Sequence, residues 1–170
     1  MELVAAQADV ADTSFSAVED RDARRIANMP GVSFVEGSIL NAVQVPKQGF
    51  LIVEGHHPAG VGIRRFQIVE GERLRGGRDL IMGKIATENL DKRVGDTIRL
   101  GGATFRIVGI YETGMAWEDG GAVVSLREAQ RLFGKPRQYT WISIKVKEGE
   151  DVEAVRDRIQ AEFPDLNVAI

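Results

Sequence analysis

The sequence predicts an α+β fold, and three observations carry that reading. Residues 3–45 run strand, helix, strand. Residues 141–170 repeat the order, with a strictly alternating strand and an amphipathic helix. Between them, residues 91–111 hold a β-hairpin signal centred on Gly101-Gly102. Paired β-α-β units commonly build a ferredoxin-like sandwich, with two helices covering one face of a sheet. The hairpin and the short apolar runs around it then form a smaller, β-rich lobe inserted between the units. The expected boundaries are 1–65 with 139–170 for the lobe built from both chain ends, and 66–138 for the inserted lobe with a short helix.

Taken in order, Leu3 to Val10 is a strand diluted by alanine, a poor strand former. Ala11 to Ser16 is a polar loop. Val18, Ala23, Ile26 and Met29 make an apolar stripe at helical spacing over Ala17 to Met29, ended by Pro30-Gly31. Val32 to Val45 is extended, with a bulge or bend expected at Glu36-Gly37. Pro46-Lys47-Gln48-Gly49 is a turn, and Phe50 to Val53 is a buried strand. Gly55 to Gly62, with Pro58, three glycines and two histidines, reads as a loop.

Phe66 to Val69 is a short strand, Leu80 to Gly83 a buried run, and Ile85 to Leu90 one or two helical turns. In the hairpin, two glycines can supply the positive φ that a primed two-residue turn requires. That turn sets the register: Leu100 opposite Ala103, Arg99 opposite Thr104, Ile98 opposite Phe105, Thr97 opposite Arg106. Ile98 and Phe105 then share one face, and the four polar residues share the other. Ala122 to Leu126 is a strand, and Ser125 with Glu128 has the spacing of a capping box for the helix that follows. Trp141 to Lys147 alternates, with Ile142, Ile144 and Val146 on one face. Val152, Val155, Ile159 and Phe163 mark a helix that Pro164 terminates, before Leu166, Val168 and Ile170 alternate again. The two β-α-β units match in order but not residue by residue, so the repeat is architectural. An insertion between them brings both chain ends to the same sheet.

Composition narrows the function. A chain of 170 residues with 44% hydrophobic and 28% charged residues is globular. Its formal net charge of -3 argues against nucleic acid as a partner, which would require clustered cations to neutralise phosphates. Arg64-Arg65, Arg73, Arg75 and Arg78, and Lys92-Arg93 are local exceptions interrupted by acids, and they read as solvated surface. The chain has no cysteine, which removes thiol nucleophiles and thiolate metal sites. No apolar run approaches the ~20 residues of a membrane span. The opening Met1-Glu2-Leu3-Val4 and an end inside an apolar alternation read as a domain cut from a longer chain.

No catalytic or metal site is expected. His56 and His57 are the only histidines, and adjacent imidazoles on an extended loop diverge, where a catalytic zinc wants three converging ligands. No nucleophile elbow or phosphate loop occurs, and nothing in the spacing pairs two carboxylates in a pocket. One stretch stands apart: Thr113 to Gly121 puts Met115 and Trp117 in a Gly-rich loop. Burial habit favours Trp117 folding back onto its lobe. The alternative makes Met115 and Trp117 a candidate partner contact.

Several segments resemble one family. Phe66-Gln67-Ile68-Val69-Glu70-Gly71-Glu72-Arg73, Met82-Gly83-Lys84-Ile85-Ala86, Val94-Gly95-Asp96-Thr97-Ile98, Phe105-Arg106-Ile107-Val108-Gly109-Ile110 and residues 123–132, preceded by Met29-Pro30-Gly31-Val32, are similar in order and spacing to the periplasmic core domain of MacB-like ABC transporter permeases. The family often has Pro where this chain has Ser125, and Gly-Arg near Gly71-Glu72-Arg73. The resemblance implies a porter-type β-α-β lobe with an inserted small lobe, lying outside the plasma membrane between two membrane helices absent from these 170 residues. It implies a permease dimer and a separate ABC ATPase subunit that binds the ATP, with no cofactor in this domain. It also implies motion passed to a periplasmic partner or cargo, for export, lipoprotein extraction or hydrolase activation. The competing readings are a stand-alone small ferredoxin-like enzyme and a free binding module.

Overall fold

The computed structural model of the chain describes residues 1–12, 15–46 and 48–170. Thr13 and Ser14 of the expected polar loop, and Lys47 of the expected turn, lie outside the described residues. The elements are β1 (Leu3–Gln7), β2 (Val18–Glu19), α1 (Asp20–Ala27), β3 (Val32–Val45), β4 (Gly49–His56), a 3-10 turn (Gly62–Arg65), β5 (Gln67–Gly71), β6 (Asp79–Gly83), α2 (Lys84–Leu90), β7 (Thr97–Leu100), β8 (Ala103–Glu112), α3 (Ala116–Asp119), β9 (Ala122–Ser125), α4 (Leu126–Leu132), β10 (Gln138–Tyr139), β11 (Trp141–Val146), α5 (Val152–Glu162) and β12 (Leu166–Ala169). The chain divides into two compact units, Met1–Ser38 with Lys135–Ile170, and Ile39–Gly134.

The first unit joins the two chain ends. Its strands lie in the order β12, β1, β11, β3, and every neighbouring pair is antiparallel. Val4 pairs with Ala169 and Gln7 with Leu166, so the start of β1 and the end of β12 are side by side. The helices follow from their apolar stripes. In α5, Val155 and Ile159 are fully buried, Asp151 caps the first turn by accepting from the Glu153 amide at 3.1 Å, and Phe163 tucks in beneath. In α1, Ala23 and Ile26 are buried, Asp20 and Asp22 sit in the first turn and Arg24 and Arg25 in the last, which suits the helix dipole. These residues pack on Leu3, Ala5, Ile142, Ile144 and Val168 in one core. A fully buried Leu or Ile of this kind contributes about 1.5–3 kcal/mol.

Three expectations need correction here. Val18 does not begin the helix but pairs with Tyr139 in a two-stranded bridge of β2 and β10, because Asp20 takes the helix start. No bend falls at Glu36-Gly37, where pairing with β11 is regular; the register shift lies at Lys145/Val146. The unit boundary falls at Ser38/Ile39 and Gly134/Lys135, not at 65/66 and 138/139. The cause is the length of β3: its first half pairs with β11, whereas Ile39–Val45 pairs with β4. One unbroken extended run thus serves both units, and composition gives no sign of the change of partner.

In the second unit the strand order from the second half of β3 is β4, β9, β6, β8, β5, with β7 also on β8. The pairs β4 with β9 and β6 with β8 are parallel, the others antiparallel. Central strands of a sheet covered on both faces read as continuous apolar runs. Accordingly Leu80 and Met82 enter one core with Val53, Phe105, Ile107 and Val124, while Ile81 enters another with Phe66, Leu74, Tyr111 and Val123. The strand β4 runs through Gly55 and His56, which the sequence assigned to a loop. A methyl group at Gly55 would collide with the Ala129 side chain, so this glycine lets α4 sit directly on the strand. Helix α4 starts as expected, with Ser125 Oγ accepting from the Glu128 amide at 3.4 Å. The Glu128 carboxylate does not return the bond but pairs with Arg78 and Arg131, each at 3.1 Å.

The hairpin has the register read from the sequence, Leu100 to Ala103 through Thr97 to Arg106, with Ile98 and Phe105 buried. Gly101 and Gly102 have φ of 54° and 83°. A methyl at Gly102 would meet open space, and one at Gly101 would press on Leu132. Gly102→Ala should therefore cost about 1–2 kcal/mol, the price of left-handed backbone, and Gly101→Ala more, because Leu132 must also move. Urea unfolding of the two variants tests this; equal losses would show that Leu132 yields without cost.

Candidate functional site

The loop singled out by its composition turns out to be built from the inside by carboxylates. After β8, the Asp119 carboxylate accepts from the Thr113 amide at 2.7 Å and the Gly114 amide at 3.1 Å, and from the Thr113 hydroxyl at 3.3 Å. These bonds fold Thr113–Asp119 into a compact hook around α3, a single helical turn that sequence reading took for plain loop. The Tyr111 hydroxyl donates to the Glu118 carbonyl at 2.6 Å and ties the hook to β8.

Burial within the hook falls in two blocks, with Met115 to Trp117 on the outside and the two acids that follow on the inside. Glu118 and Asp119 are buried, while Met115 and Trp117 remain 51% and 44% exposed. The favoured expectation that Trp117 folds back onto its lobe is therefore corrected. The anchor of this segment is polar, and its large apolar side chains are left over for solvent.

The Glu118 side chain enters a cluster that spacing alone did not reveal. Arg65, from the 3-10 turn, pairs through Nη2 with Glu118 Oε2 and, at 3.0 Å, with Glu54 Oε1. His56 Nε2 lies 3.0 Å from the same Glu54 oxygen. Glu54 and His56 stand two residues apart on β4, hence on one face of the strand. Glu54, His56 and Glu118 are each no more than 2% exposed, and Arg65 is the member that reaches water. Phe66 closes one side: Arg65 lies 4.5 Å over its ring, with His56 at 5.3 Å and Tyr111 edge-on at 5.0 Å. Glu118 Oε1 is buried and has no hydrogen-bond partner among the described residues. The reading that no two carboxylates converge is thus overturned.

One guanidinium cannot fully compensate two buried carboxylates. Burial pushes the Glu118 carboxyl up from 4.5 to about 7, helped by the neighbouring Glu54 carboxyl and opposed by Arg65. Burial likewise raises Glu54, against the lowering influence of Glu118 and Arg65. The Tyr111 phenol is also raised, first by burial and then by the charges of Glu54, Glu118 and Asp119. His57 diverges from His56: it is exposed, and its Nδ1 accepts from the Ala59 amide at 3.1 Å. Among the described residues no group of three or more His, Asp or Glu is placed to hold a metal ion, and no helix is long and apolar enough to cross a membrane.

Folds of this two-unit α+β kind occur in the outer domains of ABC transporters. The extracellular domain of the noncanonical ABC-type transporter YknZ from Gram-positive bacteria superimposes with a TM-score of 0.71 at 14% identity, over 100% of this chain and 99% of that one. The periplasmic region of MacB from Actinobacillus actinomycetemcomitans gives 0.69 at 10% identity, over 98% and 87%. An uncharacterised ABC transporter permease of Methanocaldococcus jannaschii is 38% identical over 69 residues, 40% of this chain and 17% of that permease. The MacB-like periplasmic core domain matches residues 3–162, and the chain belongs to that family. It is accordingly an extracytoplasmic domain of a MacB-like ABC transporter permease.

The raised carboxyls set a sign for pH dependence. Folded Glu118 holds its proton more tightly than the unfolded chain does, so its contribution is complete below about pH 4.5 and is lost as pH rises through about 7. In Glu118→Gln the side chain cannot ionise. The fall in melting temperature between pH 5 and pH 8 should be smaller in this variant than in the wild type. Parallel pH profiles from thermal unfolding would show that Glu118 is ionised throughout.

Proposed function

We propose that this domain works without chemistry of its own, passing ATP-driven motion of its permease to a periplasmic partner or cargo through the hook that carries Met115 and Trp117. The observation that carries the reading is the pairing of β1 with β12. Because Val4 faces Ala169 across that ladder, segments leading into and out of the domain would run side by side. A domain inserted between two membrane helices requires that arrangement. The ATP would be bound by a separate ABC subunit, and the permease would act as a dimer, as the family resemblance implies.

The hook suits a contact surface because its exposed Met and Trp are residue types enriched where proteins meet. Its Asp119 bonds, the Tyr111 bond and the Arg65 pairs hold it in place, so little order has to be acquired on binding. Catalysis by the buried carboxyls is the weaker reading, since Glu54 and Glu118 are covered and substrate would have to displace Arg65.

Two experiments test the proposal. The encoding gene should carry apolar runs of ~20 residues on each side of the domain; their absence would favour a free binding module. In the full-length permease assembled with its ATPase, Met115→Ser with Trp117→Ala should leave basal ATP hydrolysis and the melting temperature of the domain unchanged. The double variant should nonetheless fail to restore transporter-dependent growth to a strain lacking the permease. Full restoration would remove the hook from the mechanism, and a large drop in melting temperature would assign the two side chains to packing.

A further inference from the structure

The second face of the Ile39–Gly134 sheet is thinly covered. One face carries fourteen buried apolar residues beneath α2, α4 and the hairpin, whereas the other carries five, roofed by the 3-10 turn and the β5–β6 connection. A cleft of about 410 Å³ opens beside that smaller core. This volume falls in the range of small-molecule sites. Its wall is apolar, with half-buried Ile63 and Ile68 at the sides and the buried Phe66, Leu74 and Ile81 as its floor, and its charged lining residues are Arg64 and Arg73.

Those two arginines differ from their neighbours. Arg65 is committed to Glu54 and Glu118, Arg75 to Glu72, and Arg78 to Glu128. Arg64 and Arg73 have no ion pair or side-chain hydrogen bond among the described residues, although both are exposed and line the same cleft. Two uncompensated guanidiniums attract an anion, and the fork of each can clamp a carboxylate or phosphate through two N–H groups. The apolar wall offers no polar side chain to orient a polar ligand body. Recognition would rest on an anionic head at the rim and an apolar tail within.

We propose that this cleft binds a single-chain anionic amphiphile of the fatty-acid type, with its head group between Arg64 and Arg73 and its tail along Ile63, Ile68, Leu74 and Ile81. The site is distinct from the Met115/Trp117 hook and does not depend on the role assigned to it.

The test uses the 170-residue chain, amide NMR and two probes of equal tail length, decanoate below its micelle concentration and 1-decanol. Decanoate should shift the amides of Ala59, Gly60, Ile68 and Arg73 saturably. The double variant Arg64→Glu with Arg73→Glu should weaken decanoate binding by about tenfold or more, the scale of lost charge-assisted hydrogen bonds, while leaving 1-decanol affinity nearly unchanged. Arg64→Lys with Arg73→Lys should retain most decanoate binding. Ala59→Trp, which fills the cleft, should abolish binding of both probes. The proposal is overturned if the wild-type cleft shows no saturable shifts, if charge reversal leaves decanoate affinity intact, or if Ala59→Trp binds as the wild type does. Binding to phosphatidylglycerol vesicles without binding of monomeric decanoate would also overturn it, by pointing to a membrane surface instead.

Discussion

The first unit depends on β1 being paired along both edges by strands from the last thirty residues of the chain. Leu3 and Ala5 are fully buried between them, against Ile142, Ile144 and Val168. Neither β1 nor the β11–α5–β12 segment can bury its apolar face without the other, and all of Ile39–Gly134 lies between them in sequence. Loop closure grows only logarithmically with length, by about 0.6 kcal/mol per doubling, so even so long an insertion is mild in equilibrium terms. Its kinetic cost is larger, because non-local strand pairing is slow. An inserted unit that folds on its own core would shorten the effective loop and ease that step.

The hook inverts the usual division between inside and outside. In an ordinary surface segment the apolar residues are buried as anchors and the acids are left in water. Here Glu118 and Asp119 go in and Met115 and Trp117 stay out. Burying a carboxylate is expensive unless it is paired and hydrogen-bonded. Asp119 meets that condition with three bonds from Thr113 and Gly114, whereas Glu118 leaves one oxygen without a partner among the described residues and shares a single guanidinium with Glu54. Local choices that run against stability tend to mark places where something other than stability is served. The exposed Trp, rather than the buried acid, is the part of the segment that a partner could use.

Much of this was legible in the chain, and the failures share a cause. The hairpin register, the alternation of Trp141–Val146 and the α5 stripe of Val155 and Ile159 were readable because each is set by neighbours in sequence and by a period of 2 or 3.6. The family likeness was readable for the same reason, as short motifs in a fixed order. The unit boundary was not, because β3 changes partner in mid-strand without any turn residue to signal it. Strand β4 was cut short at Val53 because Gly55, His56 and His57 looked like loop, when Gly55 is small to admit Ala129. Continuing the strand by three residues would have put Glu54 and His56 on one face of an otherwise apolar run, the one local hint of a buried polar cluster. Its other half, Arg65 and Glu118, comes from sequence separations that no spacing rule spans.

The two faces of the second unit's sheet therefore have different tasks. Along β4, Leu51 and Val53 point into the large core under α4, while Glu54 and His56 project to the opposite side with Phe66 and Tyr111. The first face satisfies itself with apolar packing, the hairpin included. On the second face lie the Glu118 oxygen and the Arg64 and Arg73 guanidiniums that have no partner among the described residues, together with the cleft beside Ile63 and the root of the hook. Arg64 and Arg65 are consecutive in one 3-10 turn, with one lining the cleft and the other holding the carboxylates that seat the hook. A ligand that drew on Arg64 would thus act on the same short turn that fixes Arg65.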